Sequence, residues 1–112
     1  MWESDLELVR HILEEIKFCI QSTKNENADS FFKNEILKRA IVRSIEIIGE
    51  ASKKLDPDFR YEHDHIPWKK MAGMRDVLIH DHMGVDHELV WEVATKHIPE
   101  LFDDIQALLE IH

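Results

Sequence analysis

Apolar residues recur every three or four positions through most of the chain, the spacing that places them on one face of an α-helix. Ser4 and Glu7 match a capping box, in which each side chain satisfies a free backbone N–H at the start of a helix. The stripe that follows consists of Leu6, Val9, Leu13, Ile16 and Ile20. The pattern therefore predicts a first helix that begins near Ser4 and is ended by the polar run 21–27.

A second helix is predicted from Asp29 or Ser30, either of which can cap it, to Leu55. No proline interrupts this stretch, so we expect one continuous helix, followed by a polar connection over residues 56–66. Gly49 lies in its middle, where glycine costs about 1 kcal/mol relative to alanine. Beside Ala51, it indicates either a close helix crossing or a role in shaping a site.

The third helix is predicted from Pro67, which suits a first helical turn, with Trp68 as an apolar anchor. It should end near His80 to His82. Gly84 then supplies a turn, and Asp86 caps the next helix.

Pro99 must break or kink that fourth helix near His97, which leaves a final helical segment from about Pro99. No strand pattern appears in the sequence. The connections are short enough for antiparallel neighbours, so we predict an all-α, up-down four-helix bundle whose last helix is broken by proline.

The composition supports this fold class and indicates a cytoplasmic protein. The 112 residues are 44% hydrophobic and include three glycines and three prolines, which is typical of one helical domain over residues 1–112. The single cysteine, Cys19, excludes an intramolecular disulfide and is most simply a buried, inert thiol. No signal peptide and no apolar run of about 20 residues are present, so we expect no membrane contact.

The formal net charge of −9 gives the chain no overall attraction for nucleic acid. Contact with RNA would need a local basic cluster, for which Lys69, Lys70 and Arg43 are the candidates, and binding to DNA is not expected. Arg43 also lies three residues before Glu46, so these two side chains are expected to pair on the surface.

Common catalytic motifs are absent: there is no glycine-rich phosphate loop, no zinc helix of the His-Glu-x-x-His type and no serine-nucleophile elbow. His63 and His65 could join His80 and His82 as metal ligands, but one His-x-His in a loop is a weak zinc signal. We therefore predict no metal and no cofactor.

Arg75, Asp76 and His80 form the candidate catalytic group. On a regular helix Asp76 and His80, four apart, share a face, whereas Arg75 and His80, five apart, lie roughly 140° apart around the axis. One helix alone would therefore not direct both Arg75 and His80 at one substrate atom. Either the helix ends near His80, or a second copy of the chain completes the site.

The chemistry of this group suits the cleavage of RNA. A histidine can take a proton from a ribose 2′-hydroxyl or give one to a leaving oxygen. A fixed guanidinium can hold a phosphodiester, and an acid four residues before the histidine can orient its ring. Together they would suffice for metal-independent transesterification. The competing interpretation is that Arg75 and Asp76 pair with neighbouring helices while His80 is an ordinary helix-end histidine.

Several motifs taken in order resemble the HepT-like family of HEPN-domain proteins. They are 43–51 (RSIEIIGEA), 66–68 (IPW), 73–76 (GMRD), His80, 84–86 (GVD), 90–91 (VW) and 98–101 (IPEL). The resemblance implies a HEPN-like helical bundle that forms a homodimer and brings two Arg-x4-His motifs into one cleft. It implies an RNase toxin, with Arg75 and His80 catalytic and Asp76 as the polar residue after the arginine. The partner implied is a nucleotidyltransferase antitoxin of the MNT type.

One residue departs from the family pattern. His82 stands where the family commonly has a tyrosine that the antitoxin can modify with AMP. A histidine has no phenolic oxygen, so this modification cannot occur there, and silencing by tight complex formation is the simpler expectation. His82 is otherwise a candidate to add a second imidazole to the cleft.

Two further function classes stay open at this stage. The first is a non-catalytic HEPN module that partners a nucleotidyltransferase or binds a nucleotide, for which an acidic surface suits docking on a basic partner. The second is a metal-binding protein that uses the four histidines named above.

Overall fold

The computed structural model describes residues 3–80 and 84–112, with the side chains of Glu3 and His80 outside that description. Its helices are α1 (Glu3–Thr23), α2 (Ala28–Lys33), α3 (Glu35–Lys54), α4 (Pro57–Glu62), α5 (Trp68–Leu78), α6 (His87–Glu92) and α7 (Ile98–Ile111). A π-helical turn, Val93–His97, joins α6 to α7. Two short strands, β1 (Ile79–His80) and β2 (Gly84–Val85), lie between α5 and α6.

The long helices pack into the predicted all-α bundle. Helix α1 contacts both α3 and α7, and α3 also packs against α5. The apolar stripes meet in one core, because burying the apolar face of each helix is the main stabilising contribution. Its fully buried side chains include Ile12 and Ile16 of α1, Ile41, Ile45 and Ile48 of α3, Met71 of α5 and Ile105 of α7. Within the described ranges, no helix is both long enough and apolar enough to cross a bilayer.

The helix starts differ from the predicted ones. Ser4 lies inside α1, which begins at Glu3, so the capping box proposed at Ser4 is wrong. The cap of α2 is Asn27, not Asp29 or Ser30: its Oδ1 accepts from the Ser30 N–H at 2.9 Å, and Ser30 Oγ accepts from the Asn27 N–H at 3.0 Å. This is a reciprocal capping box with asparagine in the cap position.

The predicted second helix is two helices. The chain leaves the helical conformation at Asn34, whose backbone has φ −101° and ψ 93°. Its side-chain Oδ1 accepts from the Leu37 N–H at 3.0 Å, so Asn34 ends α2 and caps α3. An asparagine that satisfies a free N–H in this way stabilises a new helix start without any proline.

The predicted connection 56–66 contains a further helix, α4. Asp56 caps it by accepting from the Asp58 N–H at 2.8 Å, and Pro57 occupies the first turn, where its missing N–H costs nothing. The buried carboxylate of Asp5 accepts from the Asp56 N–H at 2.9 Å. This bond ties the junction between α3 and α4 to α1.

Helix α5 ends at Leu78, and the chain then forms the strand pair that the sequence pattern did not predict. Ile79 lies opposite Val85, and His80 lies opposite Gly84, in an antiparallel register. Gly84, at the start of β2, has φ +80°, a conformation that side-chain-bearing residues rarely adopt, and the turn expected before it falls on residues 81–83, outside the described residues. Asp86 caps α6 as predicted, accepting from the Leu89 N–H at 3.1 Å.

The change of helix type before Pro99 confirms the predicted interruption. Helix α6 gives way to the π turn at Val93, and α7 begins at Ile98. The Ile98 N–H donates to the Val93 carbonyl, five residues back, as in a π turn. Because Pro99 has no N–H and its ring crowds the preceding turn, the regular α-helical bonding pattern cannot continue across it.

Candidate active site

The site is built where α3 crosses α5. A Cβ atom placed on Gly49 would lie 3.3 Å from the carbonyl oxygens of both Met71 and Ala72. A side chain at this position would be crowded by both carbonyl oxygens, whereas glycine lets the two backbones approach this closely. The crossing expected at Gly49 is therefore confirmed, and it brings residues one turn away on either helix within reach of one another.

Glu46 and Arg75 meet one helical turn from this crossing. Glu46 Oε2 lies 3.6 Å from Arg75 Nε, and Arg75 Nη1 donates to Asp76 Oδ1 at 3.4 Å. The Arg75 side chain is 41% exposed and that of Glu46 is 27% exposed. The guanidinium is thus held by carboxylates from two directions and keeps part of its surface open to solvent.

The predicted surface pair between Arg43 and Glu46 is wrong. Glu46 faces Arg75, while Arg43 Nη1 lies 3.6 Å from Glu50 Oε1, two turns along α3. Arg43, Glu46 and Glu50 are spaced three and four apart, so they share one face of α3 beside the crossing. The pairing of Arg75 with a neighbouring helix, which the non-catalytic interpretation expected, is present, but it leaves the guanidinium accessible.

Helix α5 ends between Arg75 and His80, so the two residues do not lie on one regular helix. The Ile79 N–H donates to the Arg75 carbonyl and closes the last turn of α5, and His80 then lies in β1. The expectation that Asp76 and His80 share a helical face is therefore wrong. Of the two alternatives for joining Arg75 and His80, the first is observed: the helix ends near His80.

The remaining predicted site residues are only partly described. His82, the candidate cleft or regulatory position, lies outside the described residues, together with Asp81 and Met83. The backbone of His80 is described and its side chain is not. The catalytic roles of Arg75, His80 and Asp76 stay predictions that rest on their chemistry and position.

Lys69 and Lys70 are exposed at the start of α5 and face different grooves. Lys69 lines a groove of about 410 Å³ against α4, beside Tyr61. Lys70 lines an apolar groove of about 360 Å³ against α6 and the π turn, whose other walls include Met74 and Val77. The two lysines therefore border different grooves, and the contact of Lys69, Lys70 and Arg43 with RNA stays a prediction.

Of the four histidines considered as metal ligands, only His63 and His65 have described side chains, and they lie at the end of α4 and in the segment that precedes α5. The rings of His63 and His65 are 6.4 Å apart, and the ring of His63 lies 5.4 Å from that of His112. His63 also packs against Phe59, with a centroid distance of 4.7 Å. Among the residues with described side chains, no three of His, Cys, Asp and Glu are arranged to hold a metal ion.

Glu46 is the residue of this site that the sequence reasoning did not assign. Its partner is 29 residues away in sequence, and the nearer Arg43 offered a simpler pairing. The sequence does contain a signal for the role of Glu46. This acid lies one turn before Gly49, the mid-helix glycine that predicts a close helix crossing. A side chain in that position can reach whatever the crossing helix carries.

The arrangement provides a fixed, partly exposed cation at a helix end, with a histidine on the strand that leaves that helix. A guanidinium of this kind can bind a phosphodiester and offset the negative charge that grows on it during cleavage. Its neighbours Glu46 and Asp76 limit its rotation without covering it.

Comparison with known proteins agrees with this chemistry. The profile of the family described as ribonuclease HepT-like matches residues 12–108. A protein named as an inferred RNase from Caldanaerobacter subterraneus subsp. tengcongensis is 46% identical over 102 residues, which cover 91% of each chain. Another inferred RNase, from Methanocaldococcus jannaschii, is 44% identical over 88% of this chain and 82% of its own.

A third relative carries the family name itself. This protein of Thermococcus cleftensis, assigned by inference as ribonuclease HepT, is 38% identical over 101 residues, or 90% of this chain and 92% of its own. No solved structure matches the chain.

Proposed function

Since the chain belongs to the HepT-like ribonuclease family, we propose that it is a metal-independent endoribonuclease and the toxin of a toxin–antitoxin pair. The observation that carries this proposal is the partly exposed guanidinium of Arg75, fixed at the end of α5, from which β1 leads directly to His80. Residues 1–112 would act as one HEPN-like domain in the cytoplasm.

The proposed reaction is attack of the ribose 2′-oxygen on the adjacent phosphorus. The bond from phosphorus to the 5′-oxygen breaks, which leaves a 2′,3′-cyclic phosphate and a 5′-hydroxyl. His80 takes the proton of the 2′-hydroxyl, and Arg75 binds the non-bridging oxygens as negative charge develops on them. Asp76 accepts from Arg75 and helps to hold it. Because all groups come from side chains, the reaction needs no cofactor.

A homodimer completes the proposal. The leaving 5′-oxygen needs a proton, and a second copy of the motif in the same cleft would supply it from His80 of the partner subunit. The substrate is RNA and not DNA, because the attacking group is the 2′-hydroxyl. Lys69, Lys70 and Arg43 are the proposed contacts to its phosphates, acting locally on a chain whose net charge is −9.

The proposed antitoxin is a nucleotidyltransferase of the MNT type. The acidic balance of the chain favours docking on a basic partner surface. Because His82 cannot be adenylylated as a tyrosine is, the proposed silencing is occlusion of the cleft in a tight complex. Co-expression with a nucleotidyltransferase encoded beside this chain should give a stable complex and restore growth of cells that the chain alone inhibits.

The cleavage of total cellular RNA by the purified chain in EDTA tests the enzymatic part. We expect cutting by the wild type and loss of cutting in Arg75→Ala and His80→Ala. Cutting that survives both substitutions would place the activity elsewhere. Absence of cutting by a folded wild-type dimer would favour the non-catalytic module, and binding to the nucleotidyltransferase would then be expected to survive both substitutions.

A further inference from the structure

Glu46 occupies a position that the proposed catalysis does not yet explain. Its side chain is 27% exposed and its Oε2 lies 3.6 Å from Arg75 Nε. A half-buried carboxylate on the rigid middle of α3 is held in place by the helix, whereas the long arginine side chain has many conformations available in solution. The pair therefore constrains Arg75 more than Glu46.

The geometry of the contact separates the two ends of the guanidinium. Glu46 faces the Nε edge, and Asp76 accepts from Nη1. With Glu46 beside Nε and Asp76 on Nη1, the guanidinium is contacted at two of its nitrogens, and the Arg75 side chain remains 41% exposed. The exposed part of the group carries the donors that a phosphodiester would meet.

Gly49 fixes the distance over which this contact acts. It lies three residues after Glu46, and Ala72 lies three residues before Arg75, so the close backbone approach and the ion pair are one turn apart on both helices. The spacing of α3 and α5 and the reach of Glu46 are thus set by the same crossing.

We infer that Glu46 is a positioning residue, which orients the guanidinium of Arg75 for the transition state of RNA cleavage through the contact between Oε2 and Nε. This inference rests on the proposed ribonuclease function. Glu46 would not touch the substrate itself. Its carboxylate charge would slightly oppose the binding of RNA, and that cost would be offset by a correctly placed arginine.

The variants Glu46→Ala and Glu46→Gln separate orientation from charge. Both remove the negative charge, but glutamine keeps the length of the side chain and a polar oxygen that can lie beside Nε. We expect Glu46→Ala to lower kcat by about 100-fold, the cost of misplacing a catalytic group by about 1 Å. Glu46→Gln should keep most of the wild-type kcat, and KM should be unchanged or lower in both variants.

The matched control is Glu50→Ala, on the same face of the same helix. Glu50 lies 3.6 Å from Arg43, as far as Glu46 lies from Arg75. Loss of this exposed pair should leave kcat unchanged. A fall in kcat equal to that of Glu46→Ala would mean that any acid on this face matters, and it would overturn the inference.

A second readout does not depend on activity. The ¹⁵N–¹H resonance of Arg75 Nε, assigned by its loss in Arg75→Lys, should be shifted from the position of a free arginine in the wild type. It should move toward the position of a free arginine in Glu46→Ala and stay unchanged in Glu50→Ala. An Arg75 Nε resonance at the same position in the wild type and in Glu46→Ala would overturn the inference directly.

The two proposals can fail separately. If the wild type cuts RNA and Glu46→Ala cuts equally well or faster, the ribonuclease stands and the positioning role is wrong. If the wild type cuts no RNA, the proposed function fails, and the positioning role for that reaction fails with it. The Arg75 resonance would then report only whether the ion pair forms in solution.

Discussion

Gly49 of α3 and Ala72 of α5 lie so close that a methyl group on Gly49 would sit 3.3 Å from the Ala72 carbonyl oxygen. The Met71 carbonyl oxygen lies at the same distance. Both neighbours are backbone atoms of a packed helix, so neither can move aside as a flexible side chain would. This contact sets the spacing that brings Glu46 to Arg75.

Gly49→Ala should therefore destabilise the fold although alanine is the better helix former. Overpacking typically costs about 1–3 kcal/mol, and the gain in helix propensity is about 1 kcal/mol, so we expect a net loss of about 1 kcal/mol. The measurement is the free energy of unfolding in urea at one protein concentration. RNA cleavage should fall as well, because the crossing also places Arg75.

Gly73→Ala is the matched control for that substitution. Gly73 lies in α5, and a Cβ atom there would have no described atom within 4 Å. Alanine at this position should stabilise the protein by about 1 kcal/mol through helix propensity alone. A Gly49→Ala variant that is stabilised to the same extent would show that the crossing is looser than described.

Gly84→Ala tests whether the strand pair matters for the site. The φ of +80° at Gly84 would strain a residue with a Cβ atom, at a cost of about 1–2 kcal/mol. His80 lies opposite Gly84 in this pair. We therefore expect the rate of RNA cleavage to fall by more than the unfolded fraction of the variant can account for. Circular dichroism should show unchanged helix content. Full activity in a folded Gly84→Ala variant would contradict a role for the pair in placing His80.

Cys19 should be chemically inert in the folded protein. Burial raises the pKa of its thiol to about 12, and the nearby Glu15 carboxylate acts in the same direction. Since the thiolate is the reactive form, alkylation by iodoacetamide near neutral pH should be very slow in buffer and fast in concentrated urea. Equal alkylation rates under the two conditions would show that the thiol is exposed, contrary to its place in the core.

His63 should make the protein less stable in mild acid. Desolvation lowers the pKa of His63 below its usual value, and the neighbouring His112 and His65 add to the effect against the opposing charge of Glu62. The unfolded chain therefore takes up this proton at a higher pH than the folded protein, so stability falls as the pH drops below about 6.5. The Nε2 atom is buried and has no described hydrogen-bond partner, which fits a neutral ring.

His63→Gln should reduce this dependence on pH. The comparison is the free energy of unfolding in urea at about pH 7.5 and about pH 5.5, on either side of the usual histidine pKa. His11→Gln, at an exposed position of α1, is the control and should behave like the wild type. If His63→Gln and the wild type lose equal stability in acid, another group is responsible.

The sequence was sufficient for the parts of the fold that depend on local pattern. Helical periodicity predicted the bundle, the glycine at position 49 predicted the crossing, and Asp86 was recognised as a cap. Asn34 was not recognised, because an asparagine within a polar stretch resembles an ordinary surface residue until its side chain is seen to accept from Leu37. A helix boundary formed by an asparagine cap is therefore harder to recognise from a sequence than one formed by a proline.

The candidate site was predictable in its residue types but not in its geometry. The motif pointed to Arg75 and His80, and a helix end near His80 was one of the two alternatives, but the strand that follows Leu78 was not predicted. A two-residue strand has too few positions to show the alternation by which strands are recognised. The contact between Glu46 and Arg75 depends on how two distant helices pack, which no local pattern contains.

The most direct test of the account is the chemistry of the RNA ends made from one defined oligonucleotide in EDTA. Arg75 and His80 acting without a metal should leave a 2′,3′-cyclic phosphate and a 5′-hydroxyl. Cutting should stop at a position whose 2′-hydroxyl is replaced by hydrogen, and Arg75→Ala and His80→Ala should each abolish it. New 3′-hydroxyl and 5′-phosphate ends, or cutting that requires added Mg²⁺, would contradict the account.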